Sequence, residues 1–430
     1  MITFRSRFVP YGFVLSLLTV AGAFAQPLPV APPESVGMSP DRLQVLTDAM
    51  RGYVDSGKLA GTVLLVLKDG KTAYFEAFGD LDRESGVPMP KDAIFRIASQ
   101  SKAITSVGVM ILQEQGKLLI TDPVGDYLPE FKKTTVAVPL EGGGYEVVDA
   151  KRPITIRDLL THTAGIGYGG GVASDRWEAA GIQGWYFADR DEPIGATVAR
   201  MASLPFDAHP GEQWVYGYNT DILGALIEQV SGMPLDEFLR VNILEPLGMN
   251  DTHFYLPPEK ADRLAVVYSM NDDGELERAP EPGGMVGQGA YVNGPRKSFS
   301  GGAGLLSTAS DYARFLQMLL NGGELDGKRI LSPKSVQLMT VDHLDGIPFR
   351  EGQGFGLGFW VRKDVGAAGL HGSVGEYGWG GAYHSQYWVD PAERLVVVHL
   401  TQLIPAGSFN DHDRVRAMIY SALTEVEAYP

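Results

Sequence analysis

A hydroxyl that is to attack a carbonyl needs a base within reach, and Ser99-Gln100-Ser101-Lys102 sets an amine three residues after one. On a helix, positions i and i+3 lie on one face, one turn apart. Ser99 and Lys102 would then share a hydrogen bond, with Ser99 at the positive end of the helix dipole. A serine hydroxyl is a weak nucleophile until a base takes its proton, and a desolvated lysine can be that base. The run that follows, Ile104, Val107, Val109, Met110, Ile111 and Leu112, is apolar nearly all round, as in a buried helix. A lysine at the head of such a helix needs a partner or a task. The plain alternative is a snorkelling lysine beside an N-cap serine. A Ser-x-x-Lys match turns up about once by chance in a chain of this length, so the choice rests on what else the chain supplies.

A serine and a lysine also need a group that carries the proton to the leaving atom, and donors for the oxyanion. Trp214-Val215-Tyr216-Gly217-Tyr218-Asn219-Thr220-Asp221 offers the first, on a turn entering a helix, with Tyr216 and Tyr218 facing a cleft. A phenol beside an ammonium is biased towards phenolate. Tyr377-Gly378-Trp379-Gly380-Gly381-Ala382 offers the second, as a flexible entry to a strand whose glycines let backbone N–H groups approach a substrate. His162 and His371 lie in Gly-flanked turns and read as structural, although His371-Gly372 is an alternative third motif. The sequence has no H-E-x-x-H, and Asp411-His412-Asp413 fits a solvated helix start, so no metal and no other cofactor are expected. No G-x-S-x-G occurs, which excludes an α/β-hydrolase elbow. Trp177, Trp185, Tyr186 and Phe187 read either as the lining of an acyl or alcohol pocket or as plain core and lid packing.

These residues must be positioned by a chain of 430 residues, 44% hydrophobic, long enough for two packed domains or one with a large insertion. A net charge of −16 argues against a nucleic-acid partner. Arg5 and Arg7, an apolar stretch from Phe13 to Phe24, and Ala23-Phe24-Ala25 before Gln26 form a cleavable leader over 1–25, so a periplasmic or secreted protein is expected. An uncleaved N-terminal anchor is the lesser alternative. There are no cysteines, hence no disulfides and no thiolate chemistry.

Residues 26–37 form a Pro-rich linker, and Ser39-Pro40-Asp41 starts a helix with its stripe at Leu43, Leu46, Met50 and Tyr53. Strands are predicted over Thr62–Leu67 and Thr72–Phe78 around an Asp69-Gly70 hairpin turn. From 116 to 295 the texture is helical with long Gly/Pro-rich loops: a helix over Ile156–Thr163, another through Ile222–Val230 stopped by Gly232, and a third through Phe238, Leu239 and Ile243. The long Tyr168–Pro193 segment reads as a loop. Later come a helix over Thr308–Leu320, strands over Gly354–Val361, Gln386–Val389 and Leu395–Thr401, and a last helix over Asp411–Val426. This order predicts an α/β assembly of the α+β type. An antiparallel sheet domain, residues 38–115 and 296–430, carries an inserted mainly helical domain, residues 116–295, with the cleft between them.

With these residues in order, the chain resembles the class C-type serine β-lactamase and penicillin-binding-protein superfamily. The likeness runs from about Val36 to Leu403. Ile154-Thr-Ile-Arg-Asp-Leu-Leu-Thr-His-Thr-Ala-Gly165, Glu245-Pro-Leu-Gly-Met-Asn-Asp-Thr252 and Gly301-Gly-Ala-Gly-Leu-Leu-Ser-Thr308 add to it. The W-x-Y…D-x-L-G form of the tyrosine motif, the W-G-G in place of K-T-G, and Trp388-Val389-Asp390-Pro391 after it are most similar to the family VIII carboxylesterases. The resemblance implies a β-lactamase/transpeptidase-like fold with Ser99 as nucleophile, Lys102 as its base and Tyr216 as proton shuttle. It also implies Trp379, Gly380 and Gly381 as the third motif, with the Ser99 and Ala382 N–H groups as the oxyanion hole. Gly217 replaces the usual serine or alanine after the tyrosine, and sliding by two residues makes Tyr218 the alternative shuttle, among substrate-contacting residues with Trp177, Trp185 and Tyr186.

The expected function is hydrolysis of short-to-medium acyl carboxylic esters through an acyl-enzyme, on small-molecule substrates. The rivals are a β-lactamase or D-Ala-D-Ala carboxypeptidase or transacylase, and a catalytically silent penicillin-binding module. Trp379 replaces a lysine that would hold an anionic substrate, which favours neutral esters.

Overall fold

Thr62–Leu67 reads as an unbroken apolar run, the pattern of a strand covered on both faces. It forms β1 (Gly61–Lys68), buried at every position. The hairpin turn follows as expected: Asp69 and Gly70 take φ of 53° and 72°, the paired positive values that a type I′ turn requires, and lead into β2 (Lys71–Asp82). A short β3 (Val87–Pro88) edges it. The far end of the chain supplies β4 (Gln353–Phe355), β5 (Trp360–Arg362), β6 (Tyr377–Gly381), β7 (Ser385–Asp390) and β8 (Leu395–Thr401). Together they make one antiparallel sheet in the order β4-β5-β6-β7-β8-β1-β2-β3. The two ends of the chain meet where β1 pairs with β8, from Thr62↔Thr401 to Lys68↔Leu395. These relations belong to a computed structural model that describes residues 1, 27–407 and 409–425. The expected leader from residue 2 onward, Gln26, and Val426 of the expected last stripe lie outside the described residues.

Helices cover both faces. The first, α1 (Pro40–Asp55), is capped by the Ser39 hydroxyl, which accepts from the Arg42 N–H. Opposite lie α2 (Ser101–Glu114), α3 (Asn219–Ser231) and α4 (Ala309–Leu320). The last helix, α5 (His412–Ser421), returns to the side of α1. Alternate residues of β1 serve the two layers: Val63, Leu65 and Leu67 join the α2, α3 and α4 side, and Leu64 and Val66 join the α1 and α5 side. Each such side chain, fully buried, contributes about 1.5–3 kcal/mol. The larger apolar cluster runs without a break from the sheet into the segment between α2 and α4.

Several local expectations are corrected. The predicted Gly354–Val361 strand is a hairpin, β4 and β5, because Gly358 turns the chain at φ 98° and Gly356 N–H donates to Phe359 O. The helix expected over Ile156–Thr163 stops at Leu160, with His162 at φ 58°. The Tyr168–Pro193 segment is not all loop: Ser174–Ala179 is helical and buries Trp177. The helix at Leu235–Leu239 widens into a π turn over Arg240–Leu244. The segment between α2 and α4 also contains two unanticipated hairpins, Thr135–Pro139 with Tyr145–Asp149 and Tyr268–Met270 with Leu276–Arg278. The Pro-rich stretch read as a linker is held to the sheet by Ala31 N–H on Thr72 O and Thr72 N–H on Pro29 O. Asp411 is fully buried, not solvated, because His384 from the turn after β6 reaches its carboxylate. Among the described residues no helix is long and apolar enough to cross a membrane.

Candidate active site

Ser99 sits in a 3-10 turn, Ala98–Gln100, just ahead of α2. Ala98 is held at φ 42°, a left-handed value that costs a non-glycine residue about 1–3 kcal/mol. Neighbours over-determine it: Ile97 N–H donates to Leu305 O, Gln100 N–H to Ile97 O, and the Tyr312 hydroxyl to Gln100 O. One turn on, Lys102 is 2% exposed and makes no ion pair among the described residues. Its Nζ donates to Ser99 Oγ at 3.2 Å, Tyr168 Oη at 3.1 Å and Gly302 O at 2.7 Å. The Gly302 carbonyl is itself positioned, since Asp221 Oδ1 accepts from Ser300 Oγ at 2.6 Å and from Gly302 N–H at 3.2 Å. Burial raises the Asp221 carboxyl, and the Lys102 charge and these hydrogen bonds only partly oppose that.

Tyr216 lies against the same amine through its ring, with Lys102 Nζ 4.7 Å from the ring centroid. Its Oη accepts from Trp379 Nε1 at 3.0 Å. Trp379-Gly380-Gly381 is therefore not a flexible strand entry: it lies within β6, with Trp379 opposite Tyr387 and Gly380 opposite Gln386. Neighbouring strands fix what the glycines alone would leave loose. At Gly381 a Cβ would stand 2.6 Å from Ile97 O, so glycine is what lets β6 approach the nucleophile turn. Gly217 has the same reason, because a Cβ there would meet Ile166 O at 2.3 Å. His162 serves as a spacer. Its Nδ1 meets Asn219 Nδ2 at 2.9 Å and its ring packs 4.7 Å from that of Tyr216. Burial, and then the Lys102 charge, hold it well below the ordinary histidine range, hence neutral. His371 is exposed and does not line the cleft.

The cleft holds about 460 Å³ and is lined by Ser99, Tyr168, Trp185, Tyr216, Arg350, Trp379 and the Gly380–Ala382 backbone, among others. Three candidate contact residues lie elsewhere. Tyr218 donates to Gly184 O at 2.7 Å and stacks on Trp177, while Trp177 Nε1 donates to Pro205 O; both are core. Tyr186 is turned to accept from Ala290 N–H.

Of the cleft residues that the sequence reading did not single out, two bear on the chemistry. Tyr168, the only aromatic within Gly165–Gly171, is a direct partner of Lys102. Burial, followed by the nearby Tyr216, Asp221 and Tyr218 oxygens, pushes its phenol well above the ordinary value, so it stays protonated. Arg350 places its guanidinium 5.2 Å over the Trp379 ring without a carboxylate partner among the described residues. It places a cation beside the tryptophan that stands where a K-T-G motif has its lysine. A glycine-rich run with one tyrosine was a signal for the first; nothing in the spacing marks the second.

The comparisons with known proteins agree with this architecture. A family model described as Beta-lactamase matches residues 46–420. Protein Rv1367c of Mycobacterium tuberculosis is 34% identical, over 83% of this chain and 89% of the relative. Esterase EstB of Burkholderia gladioli is also 34% identical, over 81% and 88%. The solved structure of EstCE1, described as a hydrolase with promiscuous acyltransferase activity, is 28% identical with a TM-score of 0.74, covering 89% of this chain and 98% of the other. With the family model spanning the sheet, both helical layers and the cleft, the chain belongs to the Beta-lactamase family and is a serine hydrolase.

Proposed function

We propose that the protein hydrolyses carboxylic esters of short-to-medium acyl chains through an acyl-enzyme on Ser99, as the family VIII carboxylesterase pattern implies. The observation that carries the proposal is the buried Lys102 amine, 3.2 Å from Ser99 Oγ and free of any carboxylate partner among the described residues. As an ammonium it donates all three protons, to Ser99, Tyr168 and Gly302 O. As a neutral amine it keeps two donors and turns its lone pair on the serine hydroxyl, whose proton it then accepts. Tyr216 receives the Trp379 N–H, which leaves its own proton for the departing alkoxide. The Ser99 and Ala382 N–H groups, at the cleft where β6 meets the nucleophile turn, receive the oxyanion. The Tyr216 phenolate left behind then takes a proton from the water that attacks the acyl-enzyme, and Lys102 returns its proton to Ser99 Oγ as the acid leaves. EstB's name adds support for ester substrates. The leader-like residues 1–25 support export to the periplasm or beyond.

A second reading, β-lactam or cell-wall peptide hydrolysis, is favoured by Arg350, whose cation over Trp379 suits a substrate carboxylate. One panel decides between them: short and long p-nitrophenyl esters beside a chromogenic cephalosporin. Steady ester turnover that exceeds cephalosporin turnover in kcat/KM supports the esterase; equal or better cephalosporin turnover overturns it. Ser99→Ala should abolish ester turnover while keeping the fold, and a phosphonate adduct should map to the Ser99 peptide. An adduct on Ser101 or Ser373 would sink the assignment.

A further inference from the structure

We infer that His384, Asp411 and His412 form a binding site for one divalent transition-metal cation of the zinc type. They come from two places in the fold, the turn between β6 and β7 and the start of α5, yet their ligand atoms all lie within 4.8 Å of one another. His384 Nε2 is 2.6 Å from Asp411 Oδ1, and His412 Nε2 is 4.0 Å from the same oxygen. Zinc holds nitrogen and oxygen ligands at about 2.0–2.2 Å in a tetrahedron, so ligand atoms on one ion stand roughly 3.3–3.6 Å apart. To hold an ion, the His384 and Asp411 atoms would part and the His412 ring, whose side chain is 30% exposed, would swing inward, each by less than about 1 Å, with the metal replacing the 3.2 Å contact of His412 Nε2 with His384 O.

Two observations set this group apart from an ordinary helix start. Asp411 is the N-cap residue of α5, yet among the described residues its side chain makes no capping hydrogen bond. One carboxylate oxygen faces His384, and the other, Oδ2, is fully buried without a hydrogen-bond partner among the described residues. Leaving such an oxygen unpaired costs about 1–3 kcal/mol or more. Second, His399 on β8 is completely buried with both ring nitrogens lacking a hydrogen-bond partner among the described residues, and its ring lies edge-on to His412 at 6.1 Å. The group also holds His384 at φ 62°, a left-handed value, with Thr401 Oγ1 donating to its carbonyl at 2.7 Å. Two imidazoles and one carboxylate select a borderline cation over calcium or magnesium, which prefer oxygen ligands throughout. Since His412 also lines the Ser99 cleft, an ion can enter by that route. Bound, it would clamp the β6–β7 turn, next to Ala382, onto α5.

The test is titration of the tag-free, chelator-treated full chain with zinc by calorimetry, with metal content measured after dialysis and melting followed in parallel. One zinc per chain is expected, with a raised Tm. His412→Gln should weaken binding at least tenfold, as Asp411→Asn should where it folds, while the exposed His371→Gln should not. His412→Gln alters a partly exposed side chain, so it decides the matter even if Asp411→Asn unfolds. Substoichiometric binding by the wild-type chain, or equal affinity in His412→Gln, overturns the site.

Discussion

Lys102 has two phenols beside it, and replacing each by phenylalanine separates proton transfer from positioning. Tyr216→Phe removes the group assigned to protonate the leaving alkoxide, along with the acceptor of the Trp379 N–H. A general acid contributes about 10²–10⁴-fold, or roughly 2.7–5.5 kcal/mol of barrier. Tyr168→Phe removes one of the three acceptors of Lys102 and leaves Ser99 Oγ and Gly302 O in place. A hydrogen bond to a charged group is worth about 1.5–3 kcal/mol, so the loss is roughly 10- to 150-fold. The two ranges overlap, and size alone cannot tell the roles apart. The leaving group can. An alkoxide must be protonated as it departs, whereas p-nitrophenolate is stable as an anion at neutral pH. Tyr216→Phe should therefore lose at least tenfold more kcat/KM on an ethyl ester than on the p-nitrophenyl ester of the same acid. Tyr168→Phe should lose equally on both, because it acts through Lys102 in the attack step. Tyr218→Phe, whose hydroxyl donates to the backbone carbonyls of Tyr168 and Gly184, should lose much less on either. Should Tyr168→Phe show the leaving-group dependence and Tyr216→Phe lack it, the two assignments exchange and the proton path drawn above is wrong.

Other perturbations reach different parts of the molecule. Gly381→Ala sets a Cβ 2.6 Å from Ile97 O, and because a displacement of about 1 Å at reacting atoms can cost about 100-fold, kcat should fall about 10- to 100-fold; an unchanged kcat would mean that β6 does not shape the oxyanion site. Arg350 is exposed and solvent-screened, so Arg350→Ala should lower kcat/KM for a carboxylate-bearing substrate only about two- to fivefold and leave neutral esters nearly unchanged, as parallel assays would show. Burial pushes the Asp311 carboxyl up to about 6, against the opposing bonds from Asp251 N–H and Thr252. A raised carboxyl stabilises the fold fully below its unfolded value near pH 4, and that contribution, about 3 kcal/mol, is lost as pH rises through about 6. Urea denaturation should show the stability of the wild type falling relative to Asp311→Asn across that window; parallel profiles would contradict it.

The readings that held came from signals carried within a few residues. Ser39 caps its helix as its neighbours suggested, Asp69-Gly70 makes its turn, and the unbroken apolar run of β1 marks a strand with two covers. Ser99 and Lys102 come together because about one helical turn separates them, across the 3-10 turn that leads into α2. The misreadings each involve a partner distant in sequence. Glycines made Trp379-Gly380-Gly381 look loose, but pairing with β7 holds it as a strand. An acid before a helix looked solvated until His384 arrived from another turn. Lys102 shows the same limit at the centre of the site. Its contact with Ser99 could be read locally, but Tyr168 and Gly302 come from segments 66 and 200 residues away. A motif at i and i+3 identifies a possible base. What keeps that base dry, oriented and free of a carboxylate is supplied by the fold, which is why the same four letters in another chain would be only a serine and a lysine.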